Sequence, residues 1–211
     1  MTSWQVLLLL VLLQLASASC SSEGAAADGP PWPPETPRQP GRLALVAPDE
    51  PDPLAWWKAN IEDLIPPAIY PNSEIAALAQ GIVDETNRVR LEHGLGRVEP
   101  LEGLNRAAQA HAFDQGTRDY WAHTTPEGLG SRQRILAGTG MAVTTGGENS
   151  SIGVTGNETA ESIVYGWLTH SGHRELLLNP QVKFIGAGVF QYSRGEPMHF
   201  TQLLVDFDGE N

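Results

Sequence analysis

The chain has 211 residues, of which 18% are charged, and a formal net charge of -12 at pH 7. A chain of this length can hold one domain with additional segments. Its 13 basic residues are outnumbered by 25 acidic ones. Because nucleic-acid binding depends on clustered Lys and Arg, this balance excludes nucleic acid as an expected partner.

The N-terminus has the composition of a signal peptide. Residues 1–19, "MTSWQVLLLLVLLQLASAS", contain an apolar run, broken only by Gln14, that ends in small residues. This run is too short and too close to the N-terminus to favour a transmembrane helix. We therefore predict an exported protein.

The only cysteine of the chain, Cys20, directly follows this segment. It excludes a disulfide within the chain, and a free thiol is unfavourable in an exported protein. In a bacterial lipoprotein signal, such a cysteine is acylated and anchors the mature protein in a membrane. Two features differ from that signal: Ser17 occupies the position of a large aliphatic residue, and "MTSWQ" lacks Lys and Arg. We predict a cell-envelope lipoprotein with its lipid on Cys20; cleavage after Ala18, which gives a soluble secreted protein, is the alternative.

Two segments separate the predicted anchor from the folded domain. Residues 20–53 are rich in Pro, Gly and Ala, and this composition buries too little apolar area to offset the ordering entropy, so it predicts an extended tether. Residues 54–73 carry Trp56, Trp57 and Ile61 at helical spacing before a Pro pair ends any helix. We predict an ordered lead-in that packs on the domain, because exposed Trp pairs are rare on soluble surfaces. Binding of a partner is the alternative.

Three helices and a hairpin are predicted in the remaining chain. The first helix starts at a cap on Asn72 or Ser73 and ends before Gly94, with apolar residues every three or four positions. The second runs through "LEGLNRAAQAHAFDQGTRDY", and the third, "NETAESIVYGWLTH", starts at a cap on Asn157 or Thr155. "KFIGAGVFQY" and "MHFTQLLVDF" are strand-like runs joined by "SRGEP", which predicts an antiparallel pair. Helices that precede such a pair indicate an α+β fold with helices over a small sheet.

Short motifs, and not a standard catalytic signature, indicate what kind of protein this is. The chain has no G-x-S-x-G, no H-E-x-x-H, no phosphate-binding glycine loop and no C-x-x-C. It has "NRVRLEHGL", "AAQAHAFD", "YWAHTTPEG", "GEN", "WLTHSGHRELLLNP", "IGAGV" and "HFTQ", in that order. Together these motifs resemble the CAP superfamily, also called the SCP/PR1 family, in its bacterial form. The resemblance covers about residues 74–207, and we predict the domain over residues 74–209.

The resemblance implies an extracellular α-β-α sandwich around a small antiparallel sheet. It also implies a cavity lined by two histidines and two acidic residues, in which some members bind a divalent metal through the histidines. His123 in "AHTTPEG", Glu148 in "GEN" and His199 in "HFTQ" match three of these positions. At the position of the second acid, three residues after a tryptophan, this chain has His170. His173 corresponds to the histidine of a bacterial "SPGHR" element.

The replacement of an acid by His170 gives a set of three imidazoles. Imidazole nitrogen is a good zinc ligand, so we predict that His123, His170 and His199 bind zinc or another divalent metal and leave one position open. Glu148 would orient a ligand histidine or accept a proton from metal-bound water. Glu148 and His170 are therefore the candidate catalytic residues. An alternative for Glu148 is a structural role on the backbone amides of its glycine-rich loop.

Two functions fit this predicted site. One is a binding module, held off a membrane by its tether, for a small apolar or lipid-like ligand or an envelope component. The other is a metal-dependent hydrolase of peptidase type. A serine-based variant that uses Ser150, Ser151 or Ser171 is a third. The fold does not decide among them, because function depends on the site.

Other polar residues are expected to be structural. His111, on an Ala-rich helix face, is expected to be a hydrogen-bonded core histidine, and His173 to form a hydrogen bond at a helix start. Arg134 and Arg174 are expected to pair with acidic residues of neighbouring segments.

Overall fold

The computed structural model of the protein describes residues 52–65 and 68–207. The predicted signal peptide, Cys20 and nearly all of the predicted tether lie outside these residues. The described residues belong to one compact unit. Within them, no helix is both long enough and apolar enough to cross a membrane.

Helices and strands are interspersed along the described chain. The helices are α1 (Pro53–Asn60), α2 (Ser73–Glu92), α3 (Glu102–Arg118), α4 (Ser131–Thr139), α5 (Ala160–Thr169) and α6 (Ser171–Leu177), with a 3-10 turn at Glu62–Leu64. The strands are β1 (Glu99–Pro100), β2 (Val143–Gly153), β3 (Phe184–Gln191) and β4 (Met198–Phe207).

The four strands form one sheet in the order β1-β3-β4-β2. β3 and β4 pair antiparallel, as the strand-like runs predict, and β2 pairs antiparallel with the other side of β4. The short β1 is parallel to β3. The α+β prediction is confirmed, and β2 is an edge strand of the sheet.

Helices cover both faces of this sheet. Successive side chains of a strand point to opposite faces. On β4, Phe200 and Leu204 join a core with α2 and α5, whereas Leu203 and Val205 join a second core with α3 and α4. Burial of a large apolar side chain contributes about 1.5–3 kcal/mol, so the two cores together hold the sandwich. The layers are those that the motif resemblance implies.

α3 lies directly on β3 because two glycines face it. A Cβ atom added to Gly188 would lie 2.3 Å from the backbone of Ala108, and one added to Gly186 would lie 2.3 Å from that of Leu104. The absence of side chains is what permits this approach. The contact sets the distance between the sheet and α3, which carries part of the candidate site.

The ends of α2 are those that the sequence predicts. The Asn72 side chain accepts a hydrogen bond from the backbone N–H of Ile75 at 2.9 Å, which satisfies an unpaired donor of the first turn. After the helix, Gly94 adopts a φ of 73°, a left-handed conformation that glycine adopts without strain.

The predicted cap of the third helix is wrong. α5 begins at Ala160, and Thr159 is the cap, since its Oγ1 accepts a hydrogen bond from the N–H of Ser162 at 3.2 Å. Thr155 instead donates from its hydroxyl group to Glu158 at 2.8 Å, which fixes the turn before the helix. Several Ser, Thr and Asn residues in one segment offer competing caps, and the sequence does not rank them.

The lead-in packs on the domain. Trp57, Ile61 and Ile65 are buried in a cluster with Ala110 of α3 and with Leu129. The packing prediction is therefore confirmed for the described part of the lead-in.

Candidate functional site

The candidate site lies beyond the free edge of β2, where the two helical layers approach each other. β2 directs Glu148 to the face covered by α3 and α4, because Glu148 pairs with Leu203 of that core. Asn149 points to the opposite face, and its side chain donates a hydrogen bond to the backbone carbonyl of His173 at 3.3 Å. This bond ties the first turn of α6 to the strand that carries Glu148.

Both oxygens of Glu148 have partners, and its side chain is 1% exposed. Oε2 accepts a hydrogen bond from Nη2 of Arg134 at 2.5 Å, and Oε1 accepts one from Nδ1 of His123 at 2.9 Å. Burial alone would raise the pKa of Glu148, but the proximity of His111, the Arg134 guanidinium and the hydrogen bond from His123 lower it to about 2. Glu148 is thus an ionised carboxylate held by side chains, and not by the amides of its loop.

Arg134 of α4 binds the backbone of His123 and also binds Glu148, the partner of the His123 ring. Its Nη1 donates to the carbonyl oxygens of His123 at 3.0 Å and of Leu129 at 2.8 Å. Its Nη2 forms the ion pair with Glu148. The ion pair predicted for Arg134 is confirmed, and it fixes the loop 119–130 that presents His123.

His111 is a core histidine, as predicted, and it is fully buried. Its Nε2 donates to the carbonyl oxygen of Ala122 at 3.0 Å and lies 3.6 Å from Oε1 of Glu148. Burial lowers the pKa of His111 to about 3, although Glu148 acts in the opposite direction. The ring is therefore neutral at pH 7, and its Nδ1 has no hydrogen-bond partner among the described residues.

His123 is the exposed member of this network. The side chain is 58% exposed, and because a carboxylate can only accept, the Nδ1 that faces Glu148 carries the proton. In a neutral imidazole Nε2 then carries the lone pair. The hydrogen bond to Glu148 also raises the pKa of His123.

Two further histidines lie near His123: His173 is beside His123, and His170 is beside His173. His170 lies between α5 and α6, and its Nδ1 donates to the carbonyl oxygen of Gly166 at 2.8 Å, which leaves the lone pair on Nε2. The ring centroid of His173 is 6.1 Å from that of His170 and 6.5 Å from that of His123. Burial and these two neighbours lower the pKa of His173. We refer to His123, His170 and His173 as the histidine cleft.

The structure does not bring the predicted ligand His199 into the histidine cleft. His199 pairs with Ile152, four positions along the sheet from Leu203, the partner of Glu148. At about 3.3 Å per residue this offset is about 13 Å. Its ring lies beside α3, where a Cβ atom added to Gly116 would lie 3.2 Å from it, and Asp119 is its charged neighbour. His173, for which the sequence predicts only a helix-start hydrogen bond, has its ring beside those of His123 and His170 instead.

The imidazole nitrogens of the cleft are donors of a type that divalent transition metals bind. Within residues 52–65 and 68–207, no three His, Cys, Asp or Glu side chains already stand in a metal-binding arrangement. Two imidazoles on one zinc ion have ring centroids about 5–6 Å apart, given bonds of about 2.0–2.1 Å. The centroids of His170 and His173 are 6.1 Å apart and those of His123 and His173 are 6.5 Å apart, so each of these two neighbouring pairs is near the spacing that one ion requires.

Trp121 and Arg134 are site residues to which the sequence assigned no role in the cavity. The Trp121 indole is 58% exposed, and its Nε1 donates to the hydroxyl oxygen of Ser150 at 3.2 Å. Ser150 also contacts the Gln115 amide at 3.4 Å. Within the described part of the chain the Ser150 hydroxyl thus has Trp121 and Gln115 as partners, which gives no support to Ser150 as the nucleophile of the serine-based variant.

Two solved structures share this architecture. An extracellular protein containing an SCP domain from Bacillus anthracis superposes with a TM-score of 0.51 and 24% identity, over 62% of this chain and 40% of that one. An outer surface protein from Borrelia burgdorferi gives a TM-score of 0.53 and 19% identity, over 61% of this chain and 92% of that one. The fold is that of an SCP-domain protein.

Sequence comparison gives the family. Residues 83–204, more than half of the chain, match the cysteine-rich secretory protein family, CAP, and the chain belongs to this family. YkwD of Bacillus subtilis is 32% identical over 116 residues, and the membrane protein YlbC of the same organism is 31% identical over 124 residues. These matches cover 55% and 59% of this chain but only 44% and 33% of the two relatives. The bacterial CAP resemblance is confirmed.

Proposed function

We propose that this protein is an exported binding module of the bacterial cell envelope in which His123, His170 and His173 bind a divalent metal such as zinc. The observation that carries the proposal is the hydrogen bond from Nδ1 of His123 to the buried carboxylate of Glu148. Metal-bound histidines typically donate their other ring N–H to a carboxylate or a carbonyl oxygen. His170 has the second of these arrangements, through Gly166.

The metal would add one capability to the cleft. When bound, it supplies a coordination position that a nitrogen or oxygen atom of a ligand can take. The protein holds the ligand rings: Glu148 fixes the tautomer of His123, and Arg134 fixes Glu148. The replacement of the expected acid by His170 makes all three ligands neutral.

The contacts of Glu148 favour binding over hydrolysis. A general base that works near neutral pH has a pKa near 7, whereas that of Glu148 is about 2. Both of its oxygens are engaged by Arg134 and His123. The hydrolase hypothesis, with Glu148 and His170 as catalytic residues, therefore lacks an available carboxylate base.

An apolar ligand surface lies next to the histidines. Trp121 is two residues before His123 and exposes 58% of its surface, while its hydrogen bond to Ser150 restrains the ring. A restrained, exposed indole offers apolar contact area at low entropic cost. This supports a small apolar or lipid-like ligand, or an envelope component, as the molecule bound.

Export and anchoring rest on the N-terminal sequence and on the relatives. The similar solved proteins are described as extracellular and as an outer surface protein. The apolar leader and the position of Cys20 support a lipid anchor. Labelled fatty acid should be incorporated into the expressed chain and lost in Cys20→Ala; incorporation that survives this change would refute the anchor.

A calorimetric zinc titration tests the proposed site. The soluble mature chain carrying Cys20→Ser is titrated near pH 7, alongside His123→Ala, His170→Ala and His173→Ala. His199→Ala is the matched control, since this residue was also predicted to be a ligand. We expect stoichiometric binding that is lost or weakened in the three cleft variants and kept in the control. Unchanged binding in the cleft variants, or no binding by the parent chain, would overturn the proposal.

A further inference from the structure

We infer that residues 52–65, which contain the first part of the lead-in, belong to the functional site, and that Trp57 positions His123 through Arg134 and Glu148. This segment lies before residue 83, where the family match begins. The inference concerns the metal-free protein and stands or falls independently of metal binding.

The lead-in is fixed to the domain along its length. Its first turn is closed by the Asp52 carboxylate, which accepts a hydrogen bond from the N–H of Leu54 at 2.9 Å. Its far end is held by Arg106 of α3, which donates to the carbonyl oxygens of Glu62 at 3.1 Å and Ile65 at 2.8 Å. Binding at both ends leaves the Trp57 ring in one place.

Trp57 packs against two buried residues of the site, Arg134 and His111. Its side chain is 0% exposed. The Arg134 guanidinium carbon lies 5.9 Å from the centre of the Trp57 ring, within the range of a cation–π contact. The His111 ring centroid lies 6.3 Å away at an interplanar angle of 52°. Trp57 therefore excludes water from one side of the buried charges.

The effect of Trp57 on His123 passes through one arginine. Arg134 binds the His123 carbonyl oxygen directly and binds Glu148, which in turn accepts the proton of His123 Nδ1. Without the indole, water would reach the guanidinium and compete for it. The carboxylate would then lose its fixed partner, and the His123 ring would lose its single tautomer. Trp57 is thus a positioning residue.

Trp56 makes a second contact with the same loop. The Arg118 guanidinium carbon lies 5.2 Å from the centre of the Trp56 ring. Arg118 pairs with Asp114 of α3 and with Glu127 in loop 119–130. The two adjacent tryptophans of the lead-in therefore contact the two arginines that bind the loop carrying His123.

The test compares Trp57→Leu with Ile61→Ala in the soluble mature chain without metal. Ile61 belongs to the same buried cluster, so its truncation serves as a control for general loss of packing. The readout is the long-range proton–nitrogen NMR pattern of the His123 imidazole, recorded at a pH above the titration of that ring, where a neutral imidazole shows which nitrogen carries the proton. A general loss of packing should change this pattern in Ile61→Ala as well, so a change confined to Trp57→Leu is specific to the indole.

We expect the parent chain and Ile61→Ala to give the pattern of a single His123 tautomer protonated on Nδ1. In Trp57→Leu we expect this Nδ1–H signal to be lost and a mixed-tautomer pattern to appear. An unchanged pattern in a folded Trp57→Leu, or equal changes in both variants, would overturn the inference. If Trp57→Leu does not fold, Trp57→Phe replaces it, with the same expected direction and the same contradictory result.

Discussion

Arg134 and Glu148 form a buried ion pair in which Nη2 lies 2.5 Å from Oε2 and both side chains are 1% exposed. The pair joins α4 to the edge strand β2. Arg134 binds the backbone carbonyl of His123, and Glu148 binds its ring. A buried charge is tolerated only while its partner is present, because desolvation of a lone charge costs several kcal/mol. The histidine cleft therefore depends on a charge pair that does not itself face the ligand.

The first prediction concerns this pair. Arg134→Met leaves the Glu148 carboxylate buried without its main partner, and we expect the free energy of unfolding to fall by about 3–5 kcal/mol. The double variant Arg134→Met/Glu148→Leu removes both charges and should be clearly more stable than Arg134→Met alone. Urea unfolding of the parent chain, both single variants and the double variant measures the coupling. If the cost of the double variant equalled the sum of the single costs, the pair would not be coupled.

The second prediction concerns acid stability. Burial lowers the pKa of His111 from 6.5 to about 3, so between these values the unfolded chain binds a proton that the folded chain does not. Stability must then fall as the pH falls below 6.5. In His111→Gln we expect the loss between pH 6.5 and 4.5 to be smaller by roughly 2 kcal/mol.

Two neighbours of His111, Glu148 and His123, also contribute pH-dependent stability, but with a different pH range or sign. Glu148, whose pKa is lowered to about 2, contributes stability that is lost only as the pH falls below its ordinary value of 4.5, outside this window. His123, whose pKa is raised by Glu148, contributes stability that is present at low pH and lost as the pH rises through its folded pKa. Parallel pH profiles for the parent chain and His111→Gln would contradict the assignment.

The third prediction concerns the close packing of α3 on β3. Gly188→Ala places a Cβ atom 2.3 Å from the backbone of Ala108, which cannot move without displacing the helix. We expect a loss of at least about 2–3 kcal/mol in the free energy of unfolding, as for other overpacked cores. Gly166→Ala is the matched control, because nothing lies within 4 Å of its added Cβ atom. Within α5 this change should stabilise by about 0.5–1 kcal/mol; equal effects at the two sites would argue against the close contact.

Most of the fold follows from local sequence patterns. α2 has clear start and stop residues at Asn72 and Gly94, and the β3–β4 hairpin consists of two strand-like runs with a turn between them. β2 was not predicted, because "VTTGGENSSIG" at the sheet edge lacks alternating apolar residues. α4 was missed as well, because its nine residues bury only Arg134 and Ile135.

The site was predicted in part, and the reason lies in the sheet register. His123, Glu148 and His170 belong to motifs that the fold does place around one cleft. The sequence favours His199 over His173 because "HFTQ" matches a family motif in residue type. Only the pairing of β2 with β4 places His199 opposite Ile152, away from Glu148. The role of Trp57 requires a contact between distant segments, which no local pattern encodes.

The most direct test of the account is an imidazole NMR titration of the soluble mature chain with zinc. Before zinc is added, His123 and His170 should each appear as the tautomer protonated on Nδ1. With one equivalent of zinc, the Nε2 signals of both should shift together with one ring-nitrogen signal of His173, while the signals of His111 and His199 stay in place. A shift of His199, or no shift in the three cleft histidines, would contradict the account.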